Sequence, residues 1–368
     1  MQKKVKHIAL CIPDLRGGGA ERSNVQIANG LAHRGHSVDL VVFRKEGPYF
    51  NDLAPEVRVV EMEVSRARYA ILPLRRYLMR ERPDVAISSL INVPLVIASR
   101  FFGRRTKIVL SERAHFSSMR DSARTLSERA SASLARFLYP MADKITAVSR
   151  SCADDLVKLG IVSPGDVAVF YNPVVSNKLD KLKLETPEQR WPRDGGMRVI
   201  LAVGRLAPEK DYDALLAAFA DVDERSACLL ILGEGSERGR LESMIQKLGL
   251  TDRVSMPGFV NNPYSYMARA DVFVLCSKFE GLPGALIQAM ACGLTPVVTD
   301  SPGGSAEILG DGLRDYLVPV GDVSALSDAI SKALRNPLPP DVLKERASIF
   351  SDEASIDAYE KLIYELCE

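Results

Sequence analysis

The chain has 368 residues, of which 46% are hydrophobic, 26% charged and 7% aromatic, and its formal net charge is +1. This length predicts about two domains, each able to bury a core without disulfides or structural metals. The high apolar content and the small net charge exclude a chain that is disordered as a whole.

Short apolar runs alternate with helix-length segments from one end of the chain to the other. The first helical segments have apolar residues at helical spacing, over 20–32 and 69–80. The runs predicted as strands are Lys6–Ile12, Val38–Phe43, Val57–Val64, Val85–Leu90, Lys107–Leu110, Ile145–Val148, Val199–Val203, Cys228–Leu232, Val254–Met256, Val272–Cys276, Pro296–Val298 and Tyr316–Val318. Buried parallel strands have this composition. The pattern predicts an α/β protein with two doubly wound, Rossmann-like domains that face each other across a cleft.

A polar segment rich in Pro and Gly interrupts this alternation. We therefore expect an N-terminal domain over residues 1–175, a linker over 176–196 that contains Trp191, and a C-terminal domain over 197–350. Residues 351–368 form a separate C-terminal helical segment. Ligands of such sheets bind at the carboxyl ends of the strands, so the loops at those ends are the candidates for function.

The six cysteines contain no C-x-x-C pair and no Cys/His cluster, which argues against a zinc site or a disulfide framework. The apolar run after the basic start is too short for an export signal, and no stretch of about 20 apolar residues is present. We expect a cytoplasmic protein.

Charge is divided unevenly between the two halves. Residues 1–175 contain 27 Lys and Arg against 17 Asp and Glu, and residues 176–368 contain 21 against 30. Arginines over 66–82 interleave with Tyr, Leu, Ile and Met, and a second basic group follows over 100–105. This pattern fits an anionic membrane surface, and it also fits a solvated helix face whose apolar side chains pack inward. A nucleic-acid partner is not expected, because no binding motif accompanies the charge.

Three loops at strand ends have residues suited to bind an anionic ligand. Gly18 and Gly19 belong to a triple glycine before the first helix, but Arg22 stands where a dinucleotide fingerprint needs glycine. Gly204, Arg205 and Lys210 follow a predicted strand, and the two cations could neutralise a departing diphosphate without a metal. A flexible loop and a solvated turn are the respective alternatives.

The third loop leads into a helix that would present backbone N–H groups to an anion. Its candidate residues are Glu280, Gly281, Leu282, Pro283, Gly284 and Gln288. An ordinary helix N-terminus is the alternative here. His115 follows another strand with polar neighbours, and it is either a sugar-binding residue or a surface histidine. Asp211-x-Asp213 opens a helix, so we assign these aspartates to helix capping and expect no metal site.

Taken together, the glycine-rich loop, Gly204-Arg205-x4-Lys210, Phe279-Glu280-Gly281-x-Pro283 and the following Gln288-to-Gly293 segment resemble glycosyltransferase family 4, the retaining "group 1" enzymes of GT-B fold. The resemblance covers nearly the whole chain and is most specific over 199–322. It implies that Arg205 and Lys210 bind the diphosphate of a nucleotide sugar and that Glu280 faces the donor sugar. It also implies that residues 351–368 cross back to the first domain.

Other positions are carried over from the same resemblance. Gln288 occupies the position where the family usually has a second glutamate that holds the ribose, which is a departure from the pattern. Glu307 matches a further family glutamate, Gly18 and Gly19 match the loop near the reaction centre, and His115 matches a donor-contacting histidine.

The resemblance implies a retaining, metal-independent hexosyl- or N-acetylhexosaminyltransferase with no cofactor. It would take a UDP- or GDP-sugar and a hydroxyl of a glycan acceptor, lipid-linked as in polysaccharide, O-antigen, lipopolysaccharide or glycoprotein glycan assembly. Such an enzyme would be cytoplasmic and peripheral at the inner face of the cell membrane. The alternatives are a nucleotide-sugar epimerase or phosphorylase of the same fold, and a non-catalytic sugar-binding protein.

Overall fold

The computed structural model describes residues 4–100, 106–123, 126–188, 196–222, 224 and 226–368. The chain forms two compact units. The first contains Met1–Pro173 together with Asp352–Glu368, and the second contains Val174–Ser351. Trp191 and most of the basic group at 100–105 lie outside the described residues.

The first unit is built on a seven-stranded parallel sheet with the strand order β3-β2-β1-β4-β5-β6-β7. The strands are β1 His7–Ile12, β2 Ser37–Val42, β3 Arg58–Glu61, β4 Val85–Ser89, β5 Lys107–Glu112, β6 Lys144–Ala147 and β7 Val167–Val169. The helices are α1 Gly19–His33, α2 Ile71–Glu81, α3 Asn92–Arg100, α4 Phe116–Asp121, α5 Leu126–Leu138 and α6 Arg150–Lys158. Apolar side chains of the central strands are buried on both faces of the sheet, which explains their continuous apolar runs.

The second unit repeats this design with a six-stranded parallel sheet in the order β10-β9-β8-β11-β12-β13. Its strands are β8 Arg198–Val203, β9 Ala227–Leu232, β10 Val254–Gly258, β11 Val272–Leu275, β12 Thr295–Thr299 and β13 Leu317–Val318. Its helices are α7 Asn177–Leu182, α8 Tyr212–Ala220, α9 Arg238–Lys247, α10 Tyr264–Met267, α11 Gly284–Ala291, α12 Ser305–Leu309, α13 Val323–Arg335 and α14 Pro340–Ser348.

The last helix, α15 (Asp352–Cys367), packs on α1 in the first unit. Tyr359 and Ile363 are fully buried in the same apolar core as the central strands. Gly30 of α1 allows this contact, because a Cβ there would lie 2.1 Å from the Cδ1 of Ile356. The first unit is therefore discontinuous in sequence, because its last helix follows the whole of the second unit along the chain.

The predicted fold class, two Rossmann-like α/β units, is confirmed. The boundary between the two units lies between residues 173 and 174, two residues before the predicted end of the N-terminal domain at 175. The region that was expected to be a linker begins with α7. Strand β7 was given no bounds from the sequence, because it has three half-buried residues and a weak apolar signal. The other strands of the first unit occur in the predicted order, and their ends differ from the predicted ends by at most three residues.

Candidate active site

An ion pair between two loops forms the centre of the candidate site in the second unit. The Nζ of Lys210 lies 2.6 Å from the Oε1 of Glu280, and the two side chains are only 18% and 12% exposed. The hydroxyl of Ser277 donates a second hydrogen bond, also 2.6 Å long, to the same oxygen. The sequence places these residues after β8 and β11, which are neighbours in the sheet. We call this arrangement the Lys210–Glu280 pair.

Close backbone contacts set the position of Lys210. The turn after β8 runs through Gly204, whose N–H donates to the carbonyl of Leu232 over 3.0 Å. Gly233 has φ +145°, and a Cβ there would lie 1.9 Å from the carbonyl oxygen of Gly204. A side chain at Gly233 would separate the two loops. On the other side, a Cβ at Gly204 would approach the Cε of Lys210 to 3.5 Å, so the lysine stem lies against this glycine.

A second pair of loops fixes the backbone of Glu280. Its N–H donates to the carbonyl of Pro302 over 2.9 Å, and the N–H of Gly304 donates to the carbonyl of Gly281 over 2.8 Å. Gly303 has φ +126°, and a Cβ there would lie 2.1 Å from the Glu280 carbonyl oxygen. Only glycine fits at 303, because both its backbone angle and the neighbouring carbonyl exclude a side chain.

Helix α11 begins at Gly284, immediately after this segment, with Pro283 as the residue before its first turn. Gly281, Leu282 and Pro283 are buried, and Gly284 is partly exposed. No side chain caps the helix, so its first N–H groups receive no side-chain hydrogen bond from the N-cap residue. Backbone N–H groups at a helix start favour an anion, as the sequence predicts for this loop.

Gln288 lies one turn further along α11. Its Nε2 donates a hydrogen bond of 3.3 Å to the hydroxyl of the buried Tyr264. Tyr264 was not selected from the sequence, because it lies 24 residues away in a separate short helix. The contact orients the carboxamide of Gln288 at the position where the family usually has a carboxylate.

Arg205 and Glu307 have neighbours of their own outside the Lys210–Glu280 pair. The Arg205 side chain is 71% exposed, and it forms an ion pair of 3.3 Å with Glu209 at helical spacing. Glu307 is in the first turn of α12 and is partly exposed. Its carbonyl accepts a hydrogen bond from Arg346. Of the two predicted cations, Lys210 alone contacts Glu280 in the described part of the chain.

Burial around the pair perturbs two neighbouring groups. Burial strongly raises the pKa of the Tyr212 hydroxyl, and the charges of Cys276, Glu280 and Glu209 raise it further. Burial likewise raises the pKa of the Cys276 thiol to about 12, with Asp211 adding to the shift. Both groups therefore stay protonated at neutral pH, and neither is an ionised nucleophile.

Asp211 and Asp213 begin α8 as expected, at its N-cap position and in its first turn, and only the capping hydrogen bond is missing. Asp211 precedes α8 but has φ +50°, and its side chain makes no capping hydrogen bond. It pairs with Lys278 instead, over 3.1 Å, while both oxygens of Asp213 bind Arg240. These four side chains line a small cavity of about 120 Å³. Among the described residues, no group of three His, Cys, Asp or Glu side chains is arranged to hold a metal ion.

The glycine loop of the first unit leads directly into α1, which begins at Gly19. The space beside Gly19 is open, whereas a Cβ at Gly18 would lie 2.1 Å from the Oε2 of Glu21. A carboxylate therefore already faces this helix N-terminus, where negative charge is favoured. An anionic ligand would have to displace the Glu21 side chain, and this flexible side chain can move.

His115 lies at the start of α4 with a side chain that is 16% exposed. Its Nδ1 is 2.9 Å from the hydroxyl of Ser118, and its Nε2 is 3.7 Å from the buried carboxylate of Asp155. The ring is thus held by neighbours of its own unit, and it is not the freely solvated histidine that was the alternative.

A buried polar network at the carboxyl end of β5 was not predicted. Glu112 is the last residue of that strand, and burial raises the pKa of its carboxyl above the usual range. It accepts a hydrogen bond of 2.9 Å from the Tyr139 hydroxyl, which in turn accepts one of 3.0 Å from Asn92. A glutamate that ends an apolar strand was the available sequence signal.

The arginine-rich segment of the first unit forms α2. Leu74, Tyr77 and Leu78 pack into the core, whereas Tyr69, Leu72 and Met79 are more than half exposed beside the exposed Arg76 and Arg80. Arg75 is an exception, because its Nε is buried. The segment therefore has one face packed into the core and one exposed face that mixes apolar and basic side chains.

Helix α5 and the turn that follows it have a further exposed apolar stripe that the sequence analysis missed. Leu134, Phe137 and Met141 are three and four residues apart, and Phe137 is 73% exposed. Helix α3 contacts both α2 and α5. We call the exposed side chains of α2 and α5 together the outer helix surface. No helix among the described residues is long and apolar enough to cross a membrane.

The chain is an α/β protein of two Rossmann-like units, a class in which ligands bind at the carboxyl ends of the strands, where the Lys210–Glu280 pair lies. Comparison with family models then identifies the family. Residues 17–178 match the model described as Glycosyltransferase Family 4, and residues 185–350 match Glycosyl transferases group 1. The two models together match nearly the whole chain, so the chain belongs to the glycosyltransferase family that they describe.

Individual relatives have names that specify their own activities. The chain is 33% identical over 250 residues to a Campylobacter jejuni enzyme named N-acetylgalactosamine-N,N'-diacetylbacillosaminyl-diphospho-undecaprenol 4-alpha-N-acetylgalactosaminyltransferase. That match covers 67% of this chain and 66% of the relative, just under two thirds of its length. The chain is also 26% identical to the N-acetyl-alpha-D-glucosaminyl L-malate synthase of Bacillus anthracis, over 99% of this chain and 97% of that one.

Solved structures share the fold. A glycosyltransferase from Rickettsia africae has a TM-score of 0.82 at 16% identity and covers all of both chains. The Anabaena protein HepE, solved with UDP and glucose, has a TM-score of 0.79 at 20% identity over 98% of this chain and 99% of that one. At these identities the likeness demonstrates the fold alone.

Proposed function

We propose that the protein transfers a hexosyl or N-acetylhexosaminyl group from a UDP- or GDP-sugar to a hydroxyl of a lipid-linked glycan. The Lys210–Glu280 pair is the observation that carries this proposal. It combines a poorly exposed ammonium group, suited to a diphosphate, with a carboxylate suited to sugar hydroxyls, next to the open N-terminus of α11. The Campylobacter relative, whose name specifies an undecaprenol-linked acceptor, supports the acceptor class.

In the proposed reaction, the bond between the anomeric carbon and the diphosphate oxygen breaks, and the acceptor oxygen bonds to that carbon. The acceptor proton goes to the departing diphosphate. Lys210 stabilises the charge that develops on the diphosphate, and Arg205 adds a second cation once it leaves Glu209. Glu280 and His115 orient the sugar. Gly204, Gly281, Leu282, Pro283 and Gly284 shape the donor loops, Gln288 lies at the ribose, and Glu307, Gly18 and Gly19 complete the binding residues.

We further propose that the configuration at the anomeric carbon is retained and that no metal participates. The test begins with a thermal-shift screen of UDP-, GDP- and ADP-linked hexoses and N-acetylhexosamines, since a bound donor raises the Tm. The stabilising donor is then incubated with polyprenyl-diphosphate-linked acceptors, with and without EDTA, and the product linkage is read by NMR. Acceptor-dependent release of nucleoside diphosphate with retained configuration supports the proposal. Turnover without acceptor would indicate an epimerase, and turnover that needs inorganic phosphate would indicate a phosphorylase.

The membrane is the proposed second partner, and it would contact the outer helix surface. Exposed arginines bind anionic headgroups, while exposed Phe, Leu and Met side chains enter the headgroup boundary. The test is sedimentation with phosphatidylglycerol vesicles. We expect binding that weakens with salt and falls in an Arg76→Glu/Arg80→Glu variant and in Phe137→Ser. Arg314→Glu, an exposed charge reversal in the second unit, is the control. Equal binding by all variants would refute the assignment.

A further inference from the structure

The carboxylate of Glu280 is held through one of its two oxygens. Oε1 accepts hydrogen bonds from both Lys210 and Ser277, each 2.6 Å long. Within the described residues, Oε2 accepts no hydrogen bond, and the Glu280 side chain is 12% exposed. One oxygen is thus anchored by the protein, and the other is left to accept a hydrogen bond from a ligand.

Ser277 is placed to act on this carboxylate and on nothing outside the protein. It is fully buried and follows β11 by two residues. Its carbonyl accepts a hydrogen bond of 2.8 Å from the hydroxyl of Thr299, the last residue of the neighbouring strand β12. Two strands therefore fix the backbone of Ser277, and its hydroxyl can influence a ligand only through Glu280.

The two donors to Oε1 differ in how firmly they are held. Lys210 has a flexible four-carbon stem and three N–H donors, and a diphosphate would compete for them. Ser277 has a short side chain with no exposed surface. When Lys210 turns toward a diphosphate, the serine hydroxyl remains as the donor that keeps the carboxylate in place.

We propose that Ser277 is a positioning residue, which holds Glu280 so that Oε2 faces a hydroxyl of the donor sugar. This inference rests on the proposed function and extends it to a residue that contacts no substrate. Its consequence is selective: loss of the Ser277 hydroxyl weakens recognition of the sugar part of the donor and leaves recognition of the nucleoside diphosphate unchanged.

The experiment compares two dissociation constants measured by calorimetry. The ligands are the nucleotide sugar, among UDP- and GDP-linked hexoses and N-acetylhexosamines, that raises the wild-type Tm most, and its free nucleoside diphosphate. Ser277→Ala is expected to weaken binding of the nucleotide sugar about tenfold, as is usual for loss of a hydrogen bond to a charged group. Binding of the nucleoside diphosphate should change less than twofold. In a Glu280→Ala background, which removes the acceptor of the Ser277 hydroxyl, Ser277→Ala should have no further effect on the ratio.

Ser99→Ala is the matched control, because the hydroxyl of Ser99 is buried in the first unit and donates to the Val96 carbonyl over 3.0 Å. This variant should change stability but not the ratio. If Ser277→Ala does not fold, Ser277→Cys fills the same space with a weak donor and is expected to show the same selective loss.

Equal weakening of both ligands by the Ser277 variants would overturn the inference, and so would an additive effect in the Glu280→Ala background. If Glu280→Ala alters the ratio and the Ser277 variants do not, the proposed function stands and the positioning role fails. If the wild-type protein binds none of the nucleotide sugars, the proposed function itself fails.

Discussion

Replacement of Lys210 by alanine removes the ammonium group of the Lys210–Glu280 pair and leaves the carboxylate with Ser277 as its remaining donor. A hydrogen bond to a charged group contributes about 1.5–3 kcal/mol. Water reaches both side chains to a small extent, so we take the lower end, about 1.5 kcal/mol. For a unit of this size, that loss lowers the Tm by about 3–6 °C.

The same substitution should reduce turnover much more than it reduces stability. Removal of one electrostatic group that stabilises developing charge typically lowers kcat by about 10²–10³. The assay is acceptor-dependent release of nucleoside diphosphate at a temperature well below the Tm of the variant. Lys278→Ala is the control, because Lys278 is 52% exposed and pairs over 3.1 Å with Asp211, which is 10% exposed, and not with Glu280. A pair with a half-exposed cation contributes about 1 kcal/mol, so this variant should lose little stability and keep wild-type turnover.

The reasoning is refuted if folded Lys210→Ala turns over within about threefold of the wild-type protein, a change far below the expected range. It is also refuted if Lys278→Ala and Lys210→Ala lose activity equally, because the effect would then follow from any lost cation on these loops.

Three further outcomes are expected. Gly303→Ala should destabilise the protein by about 1–3 kcal/mol in denaturant unfolding, because φ +126° and a carbonyl oxygen 2.1 Å from the new Cβ both disfavour a side chain. Gly312→Ala, with open space around it, is the control. Equal stability of the two variants would contradict the backbone argument. Gln288→Glu should tighten nucleoside diphosphate binding in calorimetry about three- to tenfold, since a carboxylate makes a stronger hydrogen bond to a ribose hydroxyl; an unchanged Kd would remove Gln288 from the site. Asp39→Asn should destabilise the first unit and flatten its loss of stability in acid, measured by unfolding at several pH values, and wild-type acid sensitivity in the variant would disprove this.

The last of these predictions depends on a buried carboxylate. Burial alone would raise the pKa of Asp39, but hydrogen bonds from Arg58, Tyr77 and His7 outweigh it and lower the pKa below 3.8. A group with a lowered folded pKa stabilises the protein above its unfolded pKa, and this contribution is lost as the pH falls through the folded value. The window therefore lies at and below about pH 4.

Sequence periodicity is enough to predict the two sheets, because their strands are buried on both faces and consist of unbroken apolar runs. It does not delimit β7, where the strand is short and half-buried. It places Asp211 correctly at the start of α8, but it does not reveal the left-handed backbone there or the side chain that pairs with Lys278 and makes no capping hydrogen bond. Such a conformation depends on the loop as a whole, and the order of residue types does not reveal it.

The charged residues of the candidate site were selected from the sequence, whereas the residues that hold them in place were not. Lys210 and Glu280 stand out because they follow strands and carry charge. Ser277, Gly233 and Gly303 act through the close approach of loops that are far apart in sequence, so nothing in their local sequence marks them. Tyr264 is likewise known only from its contact with Gln288. Tertiary contacts of this kind need the folded structure.

The most direct test of the central claim is a crystal structure of the protein with the nucleotide sugar that stabilises it most. The account predicts a phosphate oxygen within hydrogen-bond distance of the Nζ of Lys210 and a sugar hydroxyl on the free oxygen of Glu280. A donor bound elsewhere, with Lys210 and Glu280 still paired only to each other and to Ser277, would contradict it.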